Sequence, residues 1–142
     1  MSFKHLTRLL LLYLFISSGS ALADFQIIVN AQNSTTSLDK TYLKKLYLKK
    51  TIVFPNGNNA TPVGVETPST QKAFNSKILN RSNASLNSYW SRLMFSGVAT
   101  PPVLFASDAQ AIDFVARNPD AFAFVSDKTE IHNSRVKIIT IY

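Results

Sequence analysis

The chain has 142 residues, with 15 lysines and arginines against 8 acids, and it contains no cysteine. That composition excludes disulfides, thiolate nucleophiles and cysteine metal sites. The basic balance favours anionic partners through the summed field, and no nucleic-acid-binding signature accompanies it.

Lys4, His5 and Arg8 form a basic start, Leu9 to Ile16 an uncharged apolar run, and Ala21-Leu22-Ala23 a small-residue site. This is the order of a secretory signal peptide cleaved after Ala23. The run is far shorter than the roughly 20 apolar residues a spanning helix needs, and no later stretch approaches that length. The expected mature protein is one domain, residues 24–142, with 13 basic residues against 8 acidic ones, a formal charge of +5. It is expected in the periplasm or secreted. A chain of this size buries roughly 65% of its unfolded surface and needs no staples.

Phe25 to Asn30 (FQIIVN) reads as a first strand, followed by a polar loop from Ala31 to Ser37. Ser37 is placed to cap a helix running from Leu38 to about Leu48, with Asp39 in its first turn and apolar residues at helical spacing. Pro55-Asn56-Gly57-Asn58-Asn59 is a turn cluster, and Ala60 to Glu66 holds a brief strand. Thr67 and Pro68 read as the cap and first residue of a second helix reaching about Leu79. A third begins near Ser82 or Asn83. Its residues Leu86, Tyr89, Trp90, Leu93 and Met94 have the spacing of a buried stripe, and Gly97 stops it. Pro101-Pro102 precedes a strand at Val103 to Phe105. Ser107 and Gln110 make a capping box for a fourth helix ending at Asn118-Pro119. Ala121 to Val125 and Val136 to Ile141 are the last strands. Strands alternating with helices predict an α/β domain with a mostly parallel sheet flanked by helices.

Catalytic chemistry is not visible. His132 stands among polar loop residues with no nucleophile beside it, and nucleophilic catalysis needs such a pair. Asp108, Asp113, Asp120 and Asp127 are spread over caps and turns rather than paired. The three mature glycines form no phosphate loop. We therefore expect no enzyme, no cofactor, no metal site and no specific nucleic acid partner. What remains is anion recognition by hydroxyls and backbone. Two places suit it: Thr67-Pro68-Ser69-Thr70 at a helix start, and Asn33-Ser34-Thr35-Thr36 after the first strand. Ordinary capping and loop polarity explain the same residues equally well.

Several stretches resemble the phosphate-binding proteins of ABC transporters, in particular their short single-lobe members. They include Leu46-Tyr47-Leu48-Lys49-Lys50 with Phe54-Pro55-Asn56-Gly57, and Ser69-Thr70-Gln71-Lys72-Ala73-Phe74. The most specific is Tyr89-Trp90-Ser91-Arg92-Leu93-Met94-Phe95-Ser96-Gly97, with Pro101-Pro102 beyond it. The resemblance spans nearly all of the mature chain and implies a single lobe of the type 2 periplasmic-binding-protein fold. It implies binding of phosphate or another small anion through Ser69 and Thr70, with Asn33, Ser34 and Thr35 as the polar loop beside them. Glu66, Thr67 and Pro68 stand where full-size members carry an arginine and glycines, and Lys49 stands where a glycine is usual. The resemblance covers one lobe, and no second lobe to close over the ligand is expected. Two functions stay open: an anion-binding module, and an envelope or secreted accessory domain that kept the fold and lost the ligand. An envelope or transporter protein is the partner either would need.

Overall fold

Residues 24–142 are described by the computed structural model, and the expected signal segment, 1–23, lies outside the described residues. Six strands form one sheet: β1 (Phe25–Asn30), β2 (Ser37–Leu38), β3 (Thr61–Val65), β4 (Val103–Phe105), β5 (Ala121–Ser126) and β6 (Val136–Ile141). Their order across the sheet is β2-β6-β1-β5-β3-β4. Neighbours β2 and β6, β5 and β3, and β3 and β4 pair in parallel. β1 alone runs antiparallel, to both β5 and β6. The sheet is thus mostly parallel with one reversed strand at its centre.

The helices are α1 (Lys40–Tyr47), α2 (Pro68–Phe74), α3 (Asn83–Phe95) and α4 (Asp108–Arg117), and α2 continues as a π-helical turn over Asn75–Leu79. Alternation in β5 explains how they pack. Phe122 and Phe124 point to one face, where they meet Tyr47 of α1, Phe54 and Phe74 of α2 as edge-on, tilted or stacked rings. The intervening Ala121, Ala123 and Val125 are small or slender and fully buried. Residues of this size allow α4 to pack closely on β5, β1 and β3. The two edge strands, β2 and β4, are the shortest, which limits pairing with other chains.

Local details depart from the sequence reading in three places. Ser37 does not cap α1. It belongs to β2, paired with Thr140 of β6, so its backbone is extended and the helix starts later. Asp39 caps instead, its carboxylate accepting from the Tyr42 N–H at 3.0 Å. Thr67 occupies the cap position of α2 without a side-chain capping bond. In α3 the stripe is buried only at Leu86 and Trp90, while Met94 near the end of the helix remains 48% exposed. Ser82 and Ser107 do cap, accepting from Ser85 N–H and Gln110 N–H.

Lys49 ends α1 at φ +54°, a left-handed conformation that suits glycine. Partial burial also lowers the pKa of its ammonium. A non-glycine residue there costs about 1–2 kcal/mol. Lys49→Gly is expected to raise the unfolding free energy by about 1 kcal/mol, since extra freedom of glycine in the unfolded chain offsets part of the relief. Urea denaturation at constant slope measures it, and an unchanged or lower midpoint contradicts it.

Candidate functional site

The two groups expected to meet around a ligand lie at opposite ends of the sheet. β1 pairs Val29 with Phe122 and Phe25 with Ser126, so its last residue sits beside the start of β5. β3 pairs Thr61 with Ala121 and Val63 with Ala123, so its last residues point to the far end. Asn33, Ser34 and Thr35 follow the first of these ends, and Ser69 and Thr70 follow the second. The five residues of β3 lie between them, about 16 Å at about 3.3 Å per residue. The cause is the reversed direction of β1, which no residue within the strand announces.

Asn33, Ser34 and Thr35 are engaged locally. The Asn33 side-chain oxygen accepts from the Thr35 N–H at 2.9 Å. The Asn56 amide donates to Ser34 Oγ at 2.9 Å, with Asn33 Oδ1 and Thr35 Oγ1 at 3.3 and 3.4 Å. Asn33 and Thr35 are buried. This knot ties the loop after β1 to the turn around Gly57, where the chain closes with Gly57 N–H donating to the Phe54 carbonyl. Asn30 is likewise structural: buried, it donates to the Val115 and Ala116 carbonyls at the end of α4.

The other end is open. In α2 the first helical bond is donated by Gln71 N–H to the Thr67 carbonyl. Pro68 has no N–H, and the N–H groups of Ser69 and Thr70 precede that bond, so the helix itself offers them no acceptor. Ser69 is exposed and Thr70 buried. Among the four described helices, α2 is the one whose N-cap makes no side-chain bond. Glu66 is exposed beside it, its N–H donating to the Phe105 carbonyl at 2.9 Å.

A cavity of about 690 Å³ runs from Pro68 along the flank of α2 and its π-helical turn to the start of α3. Lys72 and Arg81 supply two cations to its wall, and hydroxyls and amides supply the rest; none of the lining residues is acidic. Among the described residues neither cation is within ion-pair distance of a carboxylate. Arg81 is positioned by its guanidinium lying 4.9 Å over the Tyr89 ring. The turn that carries it is fixed by Asn80 at φ +50° and by Arg81 N–H donating to the Asn75 carbonyl. A second cavity, about 460 Å³, continues between α2, α3 and β4, walled by Phe74, Trp90 and Leu104.

None of the five sequence-predicted residues lines either cavity. The residues that do include Lys72 and Arg81, neither of which the sequence reading singled out. Their signal was faint: a lysine within Ser69-Thr70-Gln71-Lys72 and an arginine in the short link before α3. Only the π-helical turn and the link behind it make these positions concave.

No family model matches the sequence, and no curated protein sequence matches it. Solved structures do. An ABC-type phosphate transport receptor from Vibrio cholerae superimposes with a TM-score of 0.61 at 17% identity, over 84% of this chain and 46% of that one. A phosphate ABC transporter substrate-binding protein from Clostridium perfringens, with bound phosphate, gives 0.62 at 14% identity, over 84% and 45%. A possible phosphate binding protein from Planctomyces limnophilus gives 0.60 at 13%, over 84% and 42%. The chain therefore has the fold of part of a phosphate-transporter substrate-binding protein, the type 2 periplasmic-binding-protein architecture expected from the resemblance. It spans less than half the length of the structures it matches. Among the described residues no helix is long and apolar enough to cross a membrane.

Proposed function

We propose that this chain is an exported, non-enzymatic binding-protein-like module that takes a small anion, phosphate or a relative of it, beside α2. The observation that carries the reading is the acid-free cavity whose wall holds Lys72 and Arg81, neither paired with a carboxylate among the described residues. Two cations without carboxylate partners favour a negatively charged ligand. The fold likeness to phosphate-binding proteins supports the same class of ligand. Asn33, Ser34 and Thr35 have no part in this site.

Binding is expected to be weak, with a dissociation constant on the order of 1 mM, because the cavity is open and hydrated charges attract poorly. Calorimetric titration of the exported form, its intact mass beginning at Asp24, with phosphate and sulfate is the test. Lys72→Ala and Arg81→Ala should each weaken binding about tenfold, the worth of one charge-assisted bond to an ion. Glu66→Gln should tighten it by removing a like charge. No heat and no thermal shift at millimolar anion, in wild type and Glu66→Gln alike, overturns the reading. A second reading, an accessory domain that docks on another protein, is favoured by one observation. Phe95 at the end of α3, Val98 just beyond it and Val103 in the edge strand β4 are large apolar residues left exposed, as residues at contact sites are.

A further inference from the structure

The two cavities along α2 adjoin each other, with Gln71, Asn75 and Asn83 in the walls of both. They differ in chemistry. At one end stand Lys72 and Arg81. At the other, no lining residue is a lysine, arginine, histidine, aspartate or glutamate. The phenol of Tyr47 there is already used, donating to the Val63 carbonyl at 2.7 Å. Phe74, Trp90 and Leu104 form the apolar walls, and about 460 Å³ falls in the range of pockets that hold organic molecules rather than bare ions. The waist carries side-chain amides, with Asn75 Nδ2 donating to Asn83 Oδ1 at 3.2 Å. Asn75 also begins the π-helical turn, a rare conformation that recurs at functional sites.

We propose that the ligand of these adjoining cavities is an amphipathic organic anion: a phosphate or carboxylate group held by Lys72 and Arg81, with an apolar body lying against Phe74, Trp90 and Leu104. This rests on the anion reading above and narrows its ligand. An inorganic ion satisfies only the cationic end and leaves the apolar end wet, whereas a neutral apolar molecule leaves the two cations without an anion.

Trp90 is the chain's single tryptophan and lines the apolar end, so its emission reports occupancy there. The mature protein is titrated with hexyl phosphate, inorganic phosphate and hexanol, following heat and Trp90 emission. Hexyl phosphate is expected to bind about tenfold or more tightly than phosphate, as burying several methylenes allows, and to shift the emission. Phosphate should leave the emission unchanged, and hexanol should bind more weakly than hexyl phosphate. Met94→Asp, at the exposed lip of the apolar end, should weaken hexyl phosphate about tenfold and leave inorganic phosphate unaffected, with an unchanged circular dichroism spectrum as evidence of folding. Equal affinities for hexyl phosphate and phosphate overturn this proposal and leave the anion reading standing. Equal affinities for hexyl phosphate and hexanol overturn it as well, since the cations then play no part. No binding by either phosphate overturns both.

Discussion

Gly64→Ala is expected to lower the unfolding free energy by about 3 kcal/mol, the upper end of what overpacking costs. Gly64 lies in β3 where the Phe124 ring of β5 crosses the strand. A Cβ there would stand 2.7 Å from Cδ1 of that ring and closer still to Cε1 and Cζ. Flexible side chains often swing away from such a contact, but Phe124 is a rigid ring held between aromatic neighbours. It is 2% exposed, stacked on Phe74 at 4.1 Å with the planes 10° apart, and backed by Tyr47 at 5.7 Å. Urea unfolding of Gly64→Ala alone and combined with Phe124→Leu separates the cause. The double variant should cost clearly less than the two single costs together, because the smaller side chain vacates the space. A single Gly64→Ala cost below about 1 kcal/mol would mean that the ring is free to move.

Phe74→Ala should cost about 4 kcal/mol, within the usual range for removing a buried aromatic ring. Phe74 is the hub of the aromatic face: edge-on to Phe25 at 5.2 Å, edge-on to Tyr47 at 4.5 Å and stacked on Phe124. Rigid neighbours on three sides, two of them anchored in the central strands, leave little room for collapse into the void. Phe74→Leu, which keeps most of the volume, is expected to cost markedly less. Thermal and urea unfolding of both variants decide it; an alanine cost under about 1.5 kcal/mol would show that the core closes around the gap.

Much of this fold is legible in the sequence, because short-range chemistry wrote it. Phe25–Asn30, Thr61–Val65 and Ala121–Ser126 are apolar, β-rich runs between turn residues, and each forms a strand. Ser82 and Ser107 announce their helices by offering an oxygen to an N–H three residues on, a bond that lies within the segment itself. Gly97 at φ +70° stops α3 for a reason equally local. Ser37 was misread because its partner, Thr140, is a hundred residues away, and a competing strand pairing overrode its capping preference.

The site was less legible, and for the same reason. Ser69 and Thr70 could be named as residues at a helix start, since that depends on Pro68 and the turn before it. Whether Asn33, Ser34 and Thr35 stood beside them depended on the direction of β1 relative to β5, which is set by pairings nearly a hundred residues apart. The pattern of side chains along a buried strand is the same in either direction. In the same way Lys72, Arg81 and Trp90 are, in sequence, a helix lysine, a linker arginine and a stripe residue. The sequence by itself determined the elements, their caps and the apolar faces they must bury, because those follow from each residue and its near neighbours. Strand direction and the adjoining cavities lined by Lys72, Arg81 and Trp90 were decided by tertiary structure alone, because concavity belongs to the packing of α2, α3 and β4 together and to no segment of the chain.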